Sequence, residues 1–102
     1  MKNLLKLNQV RRIARTIKHE GFQREFNQVV QPILSMYQRK IVSDDEMLFV
    51  IKEAISKIEY IAMSYQYLAN VARAKFKRNE EDFWYHGKFL EIEMLCKKLL
   101  NE

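Results

Sequence analysis

Residues 44–77 read DDEMLFVIKEAISKIEYIAMSYQYLANVARAKFK, and this stretch decides the fold. Leu48, Ile51, Ile55, Ile58, Ala62, Tyr65, Ala69, Ala72 and Phe76 recur at alternating intervals of three and four. That is the 3.5-residue repeat by which one helix seats its side chains along another. A second set, Val50, Ala54, Ile61, Leu68 and Val71, widens the apolar stripe, and no residue from Tyr60 to Ala72 is charged. A helix apolar over most of its circumference must be covered on several sides. The stretch therefore predicts the spine of an all-α antiparallel bundle of four helices, built on one long central helix at about residues 44–77.

The start of that helix is marked locally. Ser43 and Glu46 have capping-box spacing, and Asp44 and Asp45 place negative charge in the first turn. Upstream, Leu7, Val10, Ile13, Ala14 and Ile17 share a face and predict a helix over about 4–19. Gly21 fits the left-handed position past its end, with Phe22 reaching back to Ile17. A second helix over 22–39 follows from Phe22, Phe26, Val29, Ile33 and Tyr37. Pro32 lies off that stripe, so one bent helix is expected rather than two. Tyr85, Phe89, Ile92, Cys96 and Leu99 form the seam of a fourth helix over 80–100. Residues 75–82 run from cations through Asn79 to acidic residues, which predicts a turn near 78–79. One continuous helix through 75–82 is the competing reading.

The chain of 102 residues is read as a single domain, residues 1–102, with ordinary hydrophobic and charged fractions of 48% and 30%. Two Gly and one Pro are too few for a turn-rich β protein. A single cysteine offers no intramolecular disulfide, and no uncharged run reaches the ~20 residues of a membrane span. A cytoplasmic location is expected.

Catalytic chemistry finds little support. The four serines and one threonine stand beside no histidine. Two histidines and one cysteine lack the spacing of a zinc or di-iron site, so neither metal nor cofactor is expected. Two isolated glycines build no phosphate loop. The chain reads as a non-enzyme. In size and class alone it resembles small phage-encoded modulators and bacteriocin immunity proteins.

Two kinds of surface remain. Phe83, Trp84 and Tyr85 are consecutive and cannot all face one core, while Tyr60 and Tyr67, with Met63, sit near the middle of the spine. The leading expectation is a small protein-interaction module, an adaptor or inhibitor, that binds another protein through these aromatics and forms a homodimer. The alternative follows from the formal charge of +5. Arg11, Arg12, Arg15 and Lys18, with Arg73, Lys75, Lys77 and Arg78, would contact the phosphates of a nucleic acid.

Overall fold

In the computed structural model the described residues are 2–40, 42–76 and 80–102, with the side chains of 72–76 and 80–83 left aside. Four helices follow one another: α1 Lys2–Ala14, α2 Glu20–Gln38, α3 Leu48–Phe76 and α4 Glu80–Leu100. The chain runs up, down, up and down. Asp44 meets Asn3 at one end of the bundle, while Tyr65 and Tyr85 surround His19 at the other. α1 packs on α3 and α4, α2 packs on α3, and α3 pairs with α4 along an extended hairpin. The molecule measures 49 × 26 × 16 Å.

One core joins all four helices: Leu7, Val10 and Ala14 of α1, Phe22, Phe26, Val30 and Ile33 of α2, Ile51, Ile55, Ile58 and Ala62 of α3, and Phe89, Ile92, Cys96 and Leu99 of α4. The seam expected for α4 is thus buried, apart from half-buried Tyr85. The widened stripe of α3 is only partly used, since Ala54 is buried while Val50 and Leu68 remain exposed. Among the described residues α3 has no buried side chain after Ala62 and α4 none before Phe89. The helical backbone of α3 nevertheless continues to Phe76, about 20 Å further at 1.5 Å per residue.

The capping box forms as expected, with Glu46 N–H donating to Ser43 Oγ at 3.3 Å and Ser43 Oγ donating to Glu46 Oε1 at 3.0 Å. It starts a turn over residues 44–47, bonded from Met47 N–H to the Asp44 carbonyl, that leads into α3 at Leu48. Pro32 lies inside an unbroken α2, on its exposed side. The turn expected at 78–79 falls outside the described residues.

The first helix boundary requires correction. α1 ends at Ala14, not His19, and Gly21 belongs to the first turn of α2, where its φ is not positive. No Schellman stop is needed because a side chain supplies its bonds. Gln23 Nε2 donates to the carbonyls of Ala14 and Ile17, both at 2.7 Å. His19 is instead the N-cap of α2, its Nδ1 accepting the Phe22 N–H at 3.1 Å. The left-handed residue that follows a helix is Lys40, φ 55°, just past α2.

Candidate docking face

Helical periodicity turns one side of α3 to the core and leaves the opposite side without a neighbour. Ile51, Ile55, Ile58 and Ala62 define the buried side. Tyr60, Met63 and Tyr67, at intervals of three and four, recur about half a turn away from it. Tyr60 is 72% exposed, Tyr67 69% and Met63 45%. Phe49 continues the line toward the start of α3, at 76%.

α4 repeats the arrangement. Leu90 and Met94, four residues apart and both exposed, point away from the buried Phe89, Ile92 and Cys96. The two helices are held in register by Gln66, whose Nε2 donates to Glu93 Oε1, and Lys97 Nζ lies 2.6 Å from Glu93 Oε2. Bonds from Lys97 and then Gln66 hold the Glu93 carboxyl below its ordinary range, and the same contact with Glu93 raises the Lys97 ammonium. Because α1 and α2 both seat on the buried stripes, Tyr60, Met63, Tyr67, Leu90 and Met94 all lie on the far face of the hairpin. On this face Glu93 is paired with Lys97. Five large apolar side chains flanking one polar bridge make a surface suited to burying another apolar face.

Tyr60 also stands at the rim of a groove between α2 and α3. A space of about 350 Å³ lined by Val29, Ser56, Lys57, Tyr60 and Ile61 adjoins one of about 270 Å³ beside Pro32, Met36 and Val50.

The other aromatics singled out from sequence fall elsewhere. Trp84 is half-exposed on the α1 side of α4, edge-on to Tyr85 at 5.2 Å with Lys88 Nζ 5.6 Å from its ring centre. Tyr85 is half-buried, stacked with Phe89, and its hydroxyl donates to the Lys18 carbonyl at 2.9 Å. The side chain of Phe83 lies outside the described residues. Leu90 and Met94 were not singled out from sequence. Their signal was present: the pair is out of phase with the Tyr85–Leu99 seam and shares a face of its own.

Of the basic residues, Arg12, Arg15 and Lys18 are exposed, and Arg11 donates to Asn8 Oδ1 at 2.9 Å. The side chains of Arg73, Lys75, Lys77 and Arg78 lie outside the described residues. Among the described residues no three His, Cys, Asp or Glu side chains converge as a metal site, and no helix is long and apolar enough to cross a membrane. Comparison with protein-family models, curated proteins and solved structures finds no match.

Proposed function

We propose that this chain is a non-enzymatic interaction module that binds a protein partner through the far face of the α3–α4 hairpin. One observation carries the reading: Tyr60, Met63, Tyr67, Leu90 and Met94 are exposed together on the side opposite the core. Tyrosine and methionine are favoured at interface centres because they bring large area, and methionine also adapts its shape. Each of two tyrosines about 70% exposed offers on the order of 150 Å² for burial. With the three aliphatic side chains and a polar rim, the face approaches the ~800 Å² per partner of a standard interface.

Among the described residues the ionisable groups with displaced values have structural contacts that account for them. Tyr37 at the end of α2 bonds Asp44 in the turn before α3, Tyr65 packs beside Glu25, and Cys96 is sealed in the core. A homodimer is the simplest protein complex this face would support. The Glu93–Lys97 pair lowers the charge that two positively charged copies would bring together there.

The test compares the native protein with Tyr60→Ser/Tyr67→Ser and Met63→Ser/Met94→Ser, each confirmed folded by circular dichroism. Partners cross-linked in the source cell are identified and then titrated as purified proteins. At least tenfold weaker binding by both variants is expected, and unchanged binding removes the reading. Light scattering on the pure protein addresses the homodimer separately. A strict monomer at 100 μM removes the dimer and leaves the heterologous partner standing.

A further inference from the structure

The net positive charge of the chain is confined to one layer of the molecule. Residues 1–40, which contain α1 and α2, hold nine Lys and Arg against two Glu, whereas residues 41–102 hold nine against eleven acidic residues. Among the described residues one ion pair reaches the first half, Lys6 of α1 with Glu102 at 3.9 Å. The ion pairs Glu53–Lys57, Lys88–Glu91 and Glu93–Lys97 lie within α3 and α4. Among the described residues Arg11, Arg12, Arg15 and Lys18 have no carboxylate partner within salt-bridge distance.

Shape adds a second observation. α1 and α2 each seat on the α3–α4 hairpin but are not in extensive contact with one another. An open trough lies between them. Near its middle, Arg11 with Gln31, Leu34, Tyr37 and Gln38 borders a space of about 540 Å³. At the α1–α2 junction, Arg15, Lys18 and Gln23 border another of about 400 Å³, where Glu20 is the single acidic wall residue. Guanidinium and ammonium groups alternating with carboxamides suit a phosphodiester backbone, with charge for the phosphates and amide N–H for oxygens. The two aromatic rings on its walls, Tyr37 and His19, are half-buried and engaged, Tyr37 with Asp44 and His19 with the Phe22 N–H, Tyr65 and Tyr85, so neither serves as the stacking platform that grips single strands. Its length is bounded by the 13-residue α1, about 20 Å, which matches roughly six base pairs of a duplex at 3.4 Å each.

We infer that the α1–α2 trough is a phosphate-backbone binding site for a nucleic-acid duplex, formed by Arg11, Arg15 and Lys18 on its walls, the exposed Arg12 beside them on α1, and the amide of Gln31. The site lies on the opposite side of the molecule from the α3–α4 face and is independent of the protein docking proposed there. Four phosphate contacts predict a slope of log affinity against log salt near −4, since each contact contributes about −0.9.

The test is fluorescence anisotropy with a labelled 20-base-pair DNA duplex, the matching RNA duplex and the DNA single strand, at potassium chloride from 50 to 200 mM. Micromolar duplex binding at 50 mM with a slope between −3 and −5 is expected, weaker for the single strand. Arg12→Gln/Arg15→Gln/Lys18→Gln should lose at least tenfold in affinity and reduce the slope by about three. Lys52→Gln/Lys98→Gln, which also removes positive charge, should change affinity less than threefold. Equal losses in the two variants overturn the assignment to this trough. No duplex binding at 50 μM protein also overturns it, as does equal or tighter binding to polyglutamate or to phosphatidylserine vesicles.

Discussion

Asp44 closes the start of the helix that contains Asn3, although the two are 41 residues apart. Asp44 Oδ2 accepts the Asn3 N–H at 3.0 Å, Oδ1 accepts the Leu4 N–H at 3.1 Å, and the Asp44 carbonyl accepts Asn3 Nδ2 at 3.0 Å. The Tyr37 hydroxyl donates to Oδ1 at 2.7 Å, so one carboxylate ties α1 to the end of α2 and the entry to α3. The exposed N–H groups at a helix start are usually capped by the preceding residue; here the cap arrives from the turn that leads into α3.

This cap makes stability acid-sensitive in a definite direction. Burial works to raise the Asp44 value, but bonds from Asn3 N–H, the Tyr37 hydroxyl and Leu4 N–H outweigh it and hold the carboxyl below its ordinary range. A carboxyl depressed by folding stabilises in full above its unfolded value of about 3.9 and loses that contribution as pH falls through the lower folded value. Asp44→Ala should cost about 2 kcal/mol at pH 7, from the lost cap and the stranded Tyr37 hydroxyl. In urea melts the gap between native protein and variant should narrow from pH 5 toward pH 2.5. A gap that stays constant over that range refutes the account.

Gly21 is explained by a distant side chain. A Cβ there would sit 3.0 Å from the Tyr65 hydroxyl and 3.3 Å from His19 Cε1. Burial and a bond with Glu25 push the Tyr65 hydroxyl up to about 12, so it stays protonated, and its ring is held against His19, Phe22 and Phe89. Gly21→Ala should therefore destabilise by about 1 kcal/mol, although alanine is the better helix former by a similar amount. In a Tyr65→Phe background the obstructing oxygen is gone, and the same substitution should become neutral or stabilising. Thermal melts of the four proteins close this cycle. A Gly21→Ala penalty independent of Tyr65 would show that something else confines the site.

These two sites mark where sequence reading succeeded and where it could not. The Ser43–Glu46 box was legible because both partners lie within one turn, as were the α4 seam and most of the α3 stripe. Gly21 was misread as a helix stop because its constraint comes from Tyr65, on another helix. Asp44 was read as first-turn charge for α3, whereas its carboxylate faces α1. On the candidate face Tyr60 and Tyr67 stood out by size. Leu90 and Met94 share a face out of phase with the α4 seam, which the sequence shows, but that this face lies beside Tyr60 and Tyr67 depends on the alignment fixed by Gln66–Glu93. Tyr85 belongs to the α4 seam by spacing, but the bond of its hydroxyl to the carbonyl of Lys18, a partner 67 residues away, has no signal in the sequence.

Cys96 should be chemically silent in the folded protein. The thiol is fully buried, and burial first, then the nearby charge of Glu59, pushes it up to about 12. The reactive thiolate is therefore scarce at neutral pH, and access is closed as well. Labelling with Ellman's reagent at pH 8 should be at least a hundredfold slower than in urea-unfolded protein, and should track unfolding as urea rises. Prompt labelling without denaturant would contradict the packing of α4 against α3.

His19 performs two tasks that substitutions can separate. Its Nδ1 caps α2 by accepting the Phe22 N–H, which requires that nitrogen to be unprotonated. Its ring meets Tyr65 and Tyr85 edge-to-face, with centroids 5.1 and 5.7 Å away. His19→Ala removes both and should cost about 2 kcal/mol. His19→Asn keeps a short side-chain acceptor at the cap and should recover about 1 kcal/mol of that loss, leaving the ring contribution as the remainder. His19→Phe keeps a ring without the acceptor, so it should restore the aromatic share but not the cap. Chemical denaturation of the three variants measures both terms. If asparagine and alanine prove equally destabilising, the nitrogen does not cap the helix and the residue acts through its ring alone.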